Sequence, residues 1–173
     1  MLATYDMSRR TALTLAATVA FSLSGSLAAR IAAAQGQAPD LQSPQAKKVE
    51  ALVDKAAALI ASKGKAAFAD FRQRGSEWLN GDTYIFVGDT KGMAVFNGGF
   101  PKLEGTNTLD QKDKNGKFIA KALIEMAKKQ GAGWVDYMWP KPGTDNPVKK
   151  WSYVKRVDLE GAPAFVGVGI YLQ

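Results

Sequence analysis

From residue 45 onward the hydrophobic positions follow a helical period first and mostly a strand period later. Val49, Leu52, Val53, Ala56, Leu59, Ile60 and Ala67 recur at steps of three and four, and Phe68 and Phe71 continue the stripe. Lys47, Lys48, Glu50, Lys55 and Lys63 fall on other faces. Ser43-Pro44 is a helix start with proline at the first helical position. The pattern predicts one long helix over residues 45–80, weakened at Gly64, with Gly75 and Asn80-Gly81 marking the exit. Its length exceeds what a small sheet covers, so its N-terminal part is free in principle to project or dimerise.

Beyond residue 82 the period shortens to two. Thr83–Val87 and Met93–Phe96 flank the turn chemistry of Asp89–Gly92, which predicts a hairpin. A loop rich in Gly, Asn and Thr follows through Leu109, and such loops on a rigid scaffold often carry binding groups. A short amphipathic helix is expected after Gly116, with Phe118, Ile119, Ala122, Leu123 and Met126 inward and Gly131 at its end. Three strands close the chain: Gly133–Trp139, Lys150–Arg156 and Ala164–Tyr171. Alternation groups Val135, Tyr137 and Trp139 on one face, and Lys150, Ser152 and Val154 on one face. In the last strand Phe165, Gly167, Gly169 and Tyr171 oppose Ala164, Val166, Val168 and Ile170. The reading is α+β: an antiparallel sheet with helices and an aromatic-rich region.

The first 34 residues follow neither period. Ser8-Arg9-Arg10-Thr11 is basic, Ala12–Ala29 is uncharged and rich in Ala, Leu, Ser and Thr, and Ala32-Ala33-Ala34 offers small residues for cleavage. The pattern predicts an export signal over residues 1–34, cleaved near Ala34/Gln35, with residues 35–44 as a linker and a domain over 45–173. The paired arginines point to the twin-arginine route, the general route staying open. The apolar run of about 18 residues lies at the lower edge for a membrane span. The expected location is periplasmic.

Composition removes whole classes of chemistry. The 173 residues include no Cys and no His, so disulfides, thiol nucleophiles, imidazole bases and Cys/His metal sites are excluded. With no convincing carboxylate pair, the chain reads as a non-enzyme with no catalytic residues and no cofactor. The net charge of +7 falls to +5 without the first 34 residues. Those charges are dispersed over helix faces and turns, which argues against nucleic acid as a partner and leaves a mild bias toward anionic small ligands. Asp110-Gln111-Lys112-Asp113-Lys114-Asn115-Gly116 invites a calcium loop, but with Gly116 at the sixth position Gln111 stands first and Ala122 twelfth, where acidic ligands are needed. No metal site is expected. Gly167-Val168-Gly169 lacks the third glycine and the helix of a dinucleotide fingerprint. Paired glycines on one strand face instead admit close packing or leave room for a ligand.

The order of several short motifs carries more than any one of them. Tyr84-Ile-Phe-Val87, Gly92, Leu103-Glu-Gly105-Thr-Asn107, Lys112-Asp-Lys-Asn-Gly116, Gly133-Trp-Val-Asp-Tyr137, Trp139-Pro-Lys-Pro142, Lys150-Trp-Ser-Tyr-Val154 and Gly169-Ile-Tyr171 occur in that sequence. The run resembles the Cache family of extracytoplasmic sensing domains, most of all the single-Cache type found as stand-alone exported proteins. The resemblance covers essentially the whole chain after the leader. It implies a PAS-like fold: a long N-terminal helix behind an antiparallel sheet of about five strands, with a ligand pocket on the other face. Related domains often carry His after the second hairpin strand, where this chain has Phe96-Asn97-Gly98-Gly99. The chain stops at Gln173 without a second span or an output region, so the expectation is a detached sensor module.

The function expected from this resemblance is reversible binding of a small metabolite, such as a short carboxylate, for signal transduction or chemotaxis. Lys150 would supply the charge-assisted contact, Tyr84, Tyr137 and Trp139 would wall the pocket, and Asn97 and Ser152 would be polar partners. Each aromatic also suits plain core packing, and Lys150 suits a solvent-facing strand position. The rival reading is an envelope interaction protein that docks on a membrane receptor or homodimerises through its long helix, its pocket vestigial. Aromatic packing without a cavity would favour the rival.

Overall fold

A computed structural model describes residues 40–171; the expected export signal lies outside them. Among the described residues no helix is long and apolar enough to cross a membrane. Helix α1, Pro44–Lys63, starts where the sequence pattern puts it: the Ser43 hydroxyl accepts from the Ala46 amide at 3.2 Å. Ala46, Val49, Val53, Ala56 and Ile60 form its buried stripe. The helix expected over 45–80 ends sooner. Gly64 at φ 56° closes α1, and a 3-10 turn, Gly64–Ala66, leads to a one-turn helix α2, Ala67–Phe71. Gly75 at φ 79° then reverses the chain and its amide donates to the Leu79 carbonyl at 2.8 Å. Residues 72–80 therefore leave the helix, and Leu79–Asn80 (β1) pairs with Thr83–Tyr84 (β2).

The main sheet has five antiparallel strands in the order β4-β3-β7-β6-β5. They are β3 Phe86–Asp89, β4 Ala94–Asn97, β5 Ala132–Pro140, β6 Pro147–Leu159 and β7 Ala162–Tyr171. Strand β7 is central and apolar on both faces, as a strand covered on both sides must be. Ala164, Val166, Val168 and Ile170 meet the stripe of α1, together with Ile85, Val87 and Phe96. Phe165 and Val154 belong to a second core, on the opposite side, with Tyr84, Phe86, Val135 and Tyr137. Helix α3, Ile119–Gln130, roofs that second core. Full burial of a Val, Ile or Phe contributes about 1.5–3 kcal/mol relative to exposure, so both faces hold the sheet.

The buried stripe of α3 is rotated from the sequence expectation: Ile119, Ala120, Leu123, Ile124 and Ala127 are buried. Phe118 stands at the helix boundary with the Lys112 and Lys121 ammonium groups over its ring, at 4.6 and 4.0 Å. The turn before the helix does not cap it. Instead the Asp113 carboxylate accepts from the amides of Asn115, Lys117 and Met138, tying the turn to β5.

Candidate functional site

The second core does not close completely. Between the β3–β4 hairpin, the loop after β4, the start of α3 and the sheet lies a cavity of about 70 Å³. That is room for several waters, since one needs about 10–15 Å³. Tyr84, Asn97, Tyr137, Trp139 and Lys150 line it, so five of the six residues expected from sequence come together. Ser152 lies behind them, fully buried, with its hydroxyl 2.8 Å from the Tyr137 hydroxyl. Asn97 spends its side-chain carbonyl on the Phe100 amide at 2.8 Å, which shapes the loop over the cavity.

Lys150 dominates the electrostatics. It sits on the inward face of β6 with 1% of its surface exposed, so the solvent-facing alternative does not hold. Its Nζ donates to the Tyr84 hydroxyl at 2.6 Å. The Tyr171 hydroxyl donates to the Pro140 carbonyl at 2.8 Å, which leaves its oxygen to accept from Tyr84 at 3.2 Å. The chain thus runs Lys150 to Tyr84 to Tyr171 to Pro140. Around Nζ stand the rings of Tyr84, Tyr171 and Phe86, with centroids 4.1, 5.0 and 5.3 Å away. No carboxylate among the described residues forms an ion pair with it. Burial pushes the Lys150 amine well below the ordinary lysine value, against a weaker pull from Asp82. Burial, then the neighbouring Tyr171 and Tyr137 hydroxyls, push the Tyr84 phenol well up.

The glycine pair of β7 gives the lysine its space. A Cβ on Gly169 would collide with Lys150 Cε and lie 2.6 Å from Ser152 Oγ, while one on Gly167 would lie 2.5 Å from the Phe86 ring. The room left by these glycines is taken by the lysine stem and a phenylalanine. Phe86, Phe165 and Ile119, which also line the cavity, were not among the residues expected at the site. Strand alternation alone marked Phe165 and Tyr171 as sharing the face of Gly169, and that was the available signal.

The loop after β4, beside the cavity, is held by charge. Glu104 accepts from the Asn97 amide at 2.9 Å and from Arg72 at 2.6 Å, which ties the loop after β4 to the end of α2. Phe100 in that loop packs edge-on against Trp139 at 5.5 Å and Tyr84 at 5.7 Å. Asp89, the acidic residue of the lining, spends its carboxylate on the amides of Lys91 and Met93, both at 2.8 Å.

The sequence pattern of the Cache domain matches residues 72–173, the segment that builds this sheet and cavity. The chain belongs to the Cache domain family. Among related proteins are the methyl-accepting chemotaxis protein McpP of Pseudomonas putida, 30% identical over 92 residues, and the sensor histidine kinase MctS of Rhizobium johnstonii, 36% identical over 92 residues. Each alignment covers 53% of this chain, which spans only 16% and 19% of the lengths of those two proteins. Among solved structures, a periplasmic sensor domain of a chemotaxis protein superposes with a TM-score of 0.66 at 31% identity, over 79% of this chain and all of that one. A Cache chemosensory domain whose structure shows carboxylic acid recognition gives 0.66 at 27% identity, over 80% of this chain and all of that one. This chain shares with these two sensory domains its α+β arrangement of a long helix behind an antiparallel sheet.

Proposed function

We propose that this Cache domain is a periplasmic sensing module that binds a short carboxylate reversibly in the Lys150 cavity and serves signal transduction or chemotaxis. The observation that carries the reading is the buried Lys150 amine, which faces a cavity and lacks an acidic partner among the described residues. A carboxylate there would make a charge-assisted hydrogen bond to Nζ, with its carbon chain against Phe86, Phe165 and Ile119. The cavity is far below the 300–1,000 Å³ typical of larger ligands, which limits the occupant to a small acid. The carboxylic acid recognition described for one structural neighbour supports the same ligand class. The leader over residues 1–34 supports export. An open cavity favours the sensor over docking through α1 with a vestigial pocket.

A thermal-shift screen against short carboxylates, amino acids, amines and purines tests this. A short carboxylate is expected to raise the melting temperature by mass action, and Lys150→Ala is expected to weaken its binding by about 1.5–3 kcal/mol. No shift with any member at millimolar concentration, or unchanged affinity in the variant, would overturn it.

A further inference from the structure

Lys150 has a second property, which rests on the carboxylate reading above. An ammonium carries three N–H donors, and the protein offers this one a single hydrogen-bond acceptor, Tyr84 Oη. The ring faces of Tyr84 and Tyr171 attract a cation by about 0.5–2 kcal/mol. Removing an unpaired ion from water costs several kcal/mol even after relaxation, so the rings do not offset it.

The other titratable groups around Lys150 do not supply the missing charge. Tyr84 on β2, Tyr137 on β5 and Tyr171 on β7 all have phenols that burial holds protonated. Asp89 on β3 is occupied by the hairpin amides. Asp82, in the β1–β2 turn, acts on Lys150 from a distance and is paired with Lys141 at 2.9 Å. Helix α3 presents Ile119 and Ala120, strand β4 presents Ala94 and Phe96, and the loop residues Thr108 and Gln111 are uncharged.

We infer that a carboxylate enters this cavity together with a proton, the Lys150 amine being uncharged in the empty cavity and ammonium in the occupied one. The balance is simple. A carboxylate and a solvent proton, or equally the free acid, combine with the neutral amine to give an ammonium–carboxylate pair, and no covalent bond changes. The ligand is then the counter-ion that makes the buried charge tolerable, and the depressed amine of the empty site agrees with this. The consequence is a binding affinity that responds to pH on the alkaline side. Between the titration points of the empty and the occupied lysine, affinity falls tenfold per pH unit.

Calorimetric titration of acetate into the protein tests this, run from about pH 6 to about pH 9, below the ordinary lysine value, in two buffers of different ionisation heat. The expected result is an apparent enthalpy that shifts with the buffer by nearly one proton taken up per acetate, in the same range where affinity falls tenfold per unit. Binding with buffer-independent enthalpy and flat affinity across that range would overturn proton uptake while leaving the carboxylate reading intact. Absence of acetate or propionate binding at any pH would overturn both. A ligand-free measurement stands beside it: the Lys150 13Cε resonance of the empty protein is expected to titrate below those of the surface lysines and to move back up with acetate. Titration together with the surface lysines would also refute the inference.

Discussion

Replacing Lys150 with methionine separates what the lysine does for the fold from what it does for the ligand. Methionine fills nearly the same volume, keeps the apolar stem against Gly169 and Phe86, and removes only the amine. Tyr84 loses one donor but still has Tyr171 at 3.2 Å. In the wild type the lysine must lose its proton or bury its charge on folding, and the variant avoids that cost; replacing buried ionic groups by apolar residues of similar volume commonly stabilises by about 1–4 kcal/mol. At roughly 3–5 °C per kcal/mol for a domain of this size, the empty variant melts about 3–20 °C higher at neutral pH. The gain depends on pH with a definite sign. The folded amine is depressed below its unfolded value, so the unfolded state binds more protons between the two, and wild-type stability rises with pH there. The advantage of Lys150→Met is therefore largest below the folded titration point and fades toward the ordinary lysine value. Thermal melts of both proteins from neutral to alkaline pH, with and without acetate, are the assay. A variant that melts lower than wild type at every pH would refute the argument, because the amine would then be well satisfied in the empty fold.

Gly169→Ala forces a methyl group into Lys150 Cε and Ser152 Oγ; it is expected to destabilise by about 1–3 kcal/mol and to weaken acetate at least tenfold, read by chemical denaturation and calorimetry. Asp136 is held down to about 2: partial burial alone would raise it, but hydrogen bonds from Lys149 and Lys117 win. Its stabilising contribution is present above the ordinary aspartate value and is lost as pH falls toward 2, so Asp136→Asn should be less stable by about 1 kcal/mol at neutral pH, after screening of its exposed part, with the difference closing in acid melts. Succinate should bind far more weakly than propionate in calorimetry, since Lys150 is the cation of the cavity lining and Asp89 would face the second carboxylate.

The sheet was legible because β7 and β6 keep strict alternation, and the two faces of β7 separated correctly into the α1 side and the cavity side. Alternation grouped Tyr137 with Trp139 and Lys150 with Ser152, each within its own strand; the register that sets Lys150 opposite both Tyr137 and Tyr171 is visible only in the fold. What the sequence hid was three-dimensional. Gly64 and Gly75 were visible as weak points, but composition could not show that the chain leaves the helix at Phe71 and reverses at Gly75 rather than continuing to residue 80. Phe86 reaches the cavity from β3 and Ile119 from the first turn of α3, and only the packing of α3 on the sheet brings the two together. Periodicity could not show that Ser152 backs Tyr137 instead of facing the cavity, because both roles share one strand face. The burial of Lys150 was also open, since a lysine on an alternating strand usually points to water.

The proposed site is a small carboxylate held by Lys150 inside the second core. A crystal structure of the domain grown with saturating acetate tests it most directly. One acetate is expected in the cavity, with a carboxylate oxygen about 2.7–2.9 Å from Lys150 Nζ and its methyl group toward Phe86, Phe165 and Ile119. Acetate bound elsewhere, or a cavity filled only by water at that concentration, would contradict it.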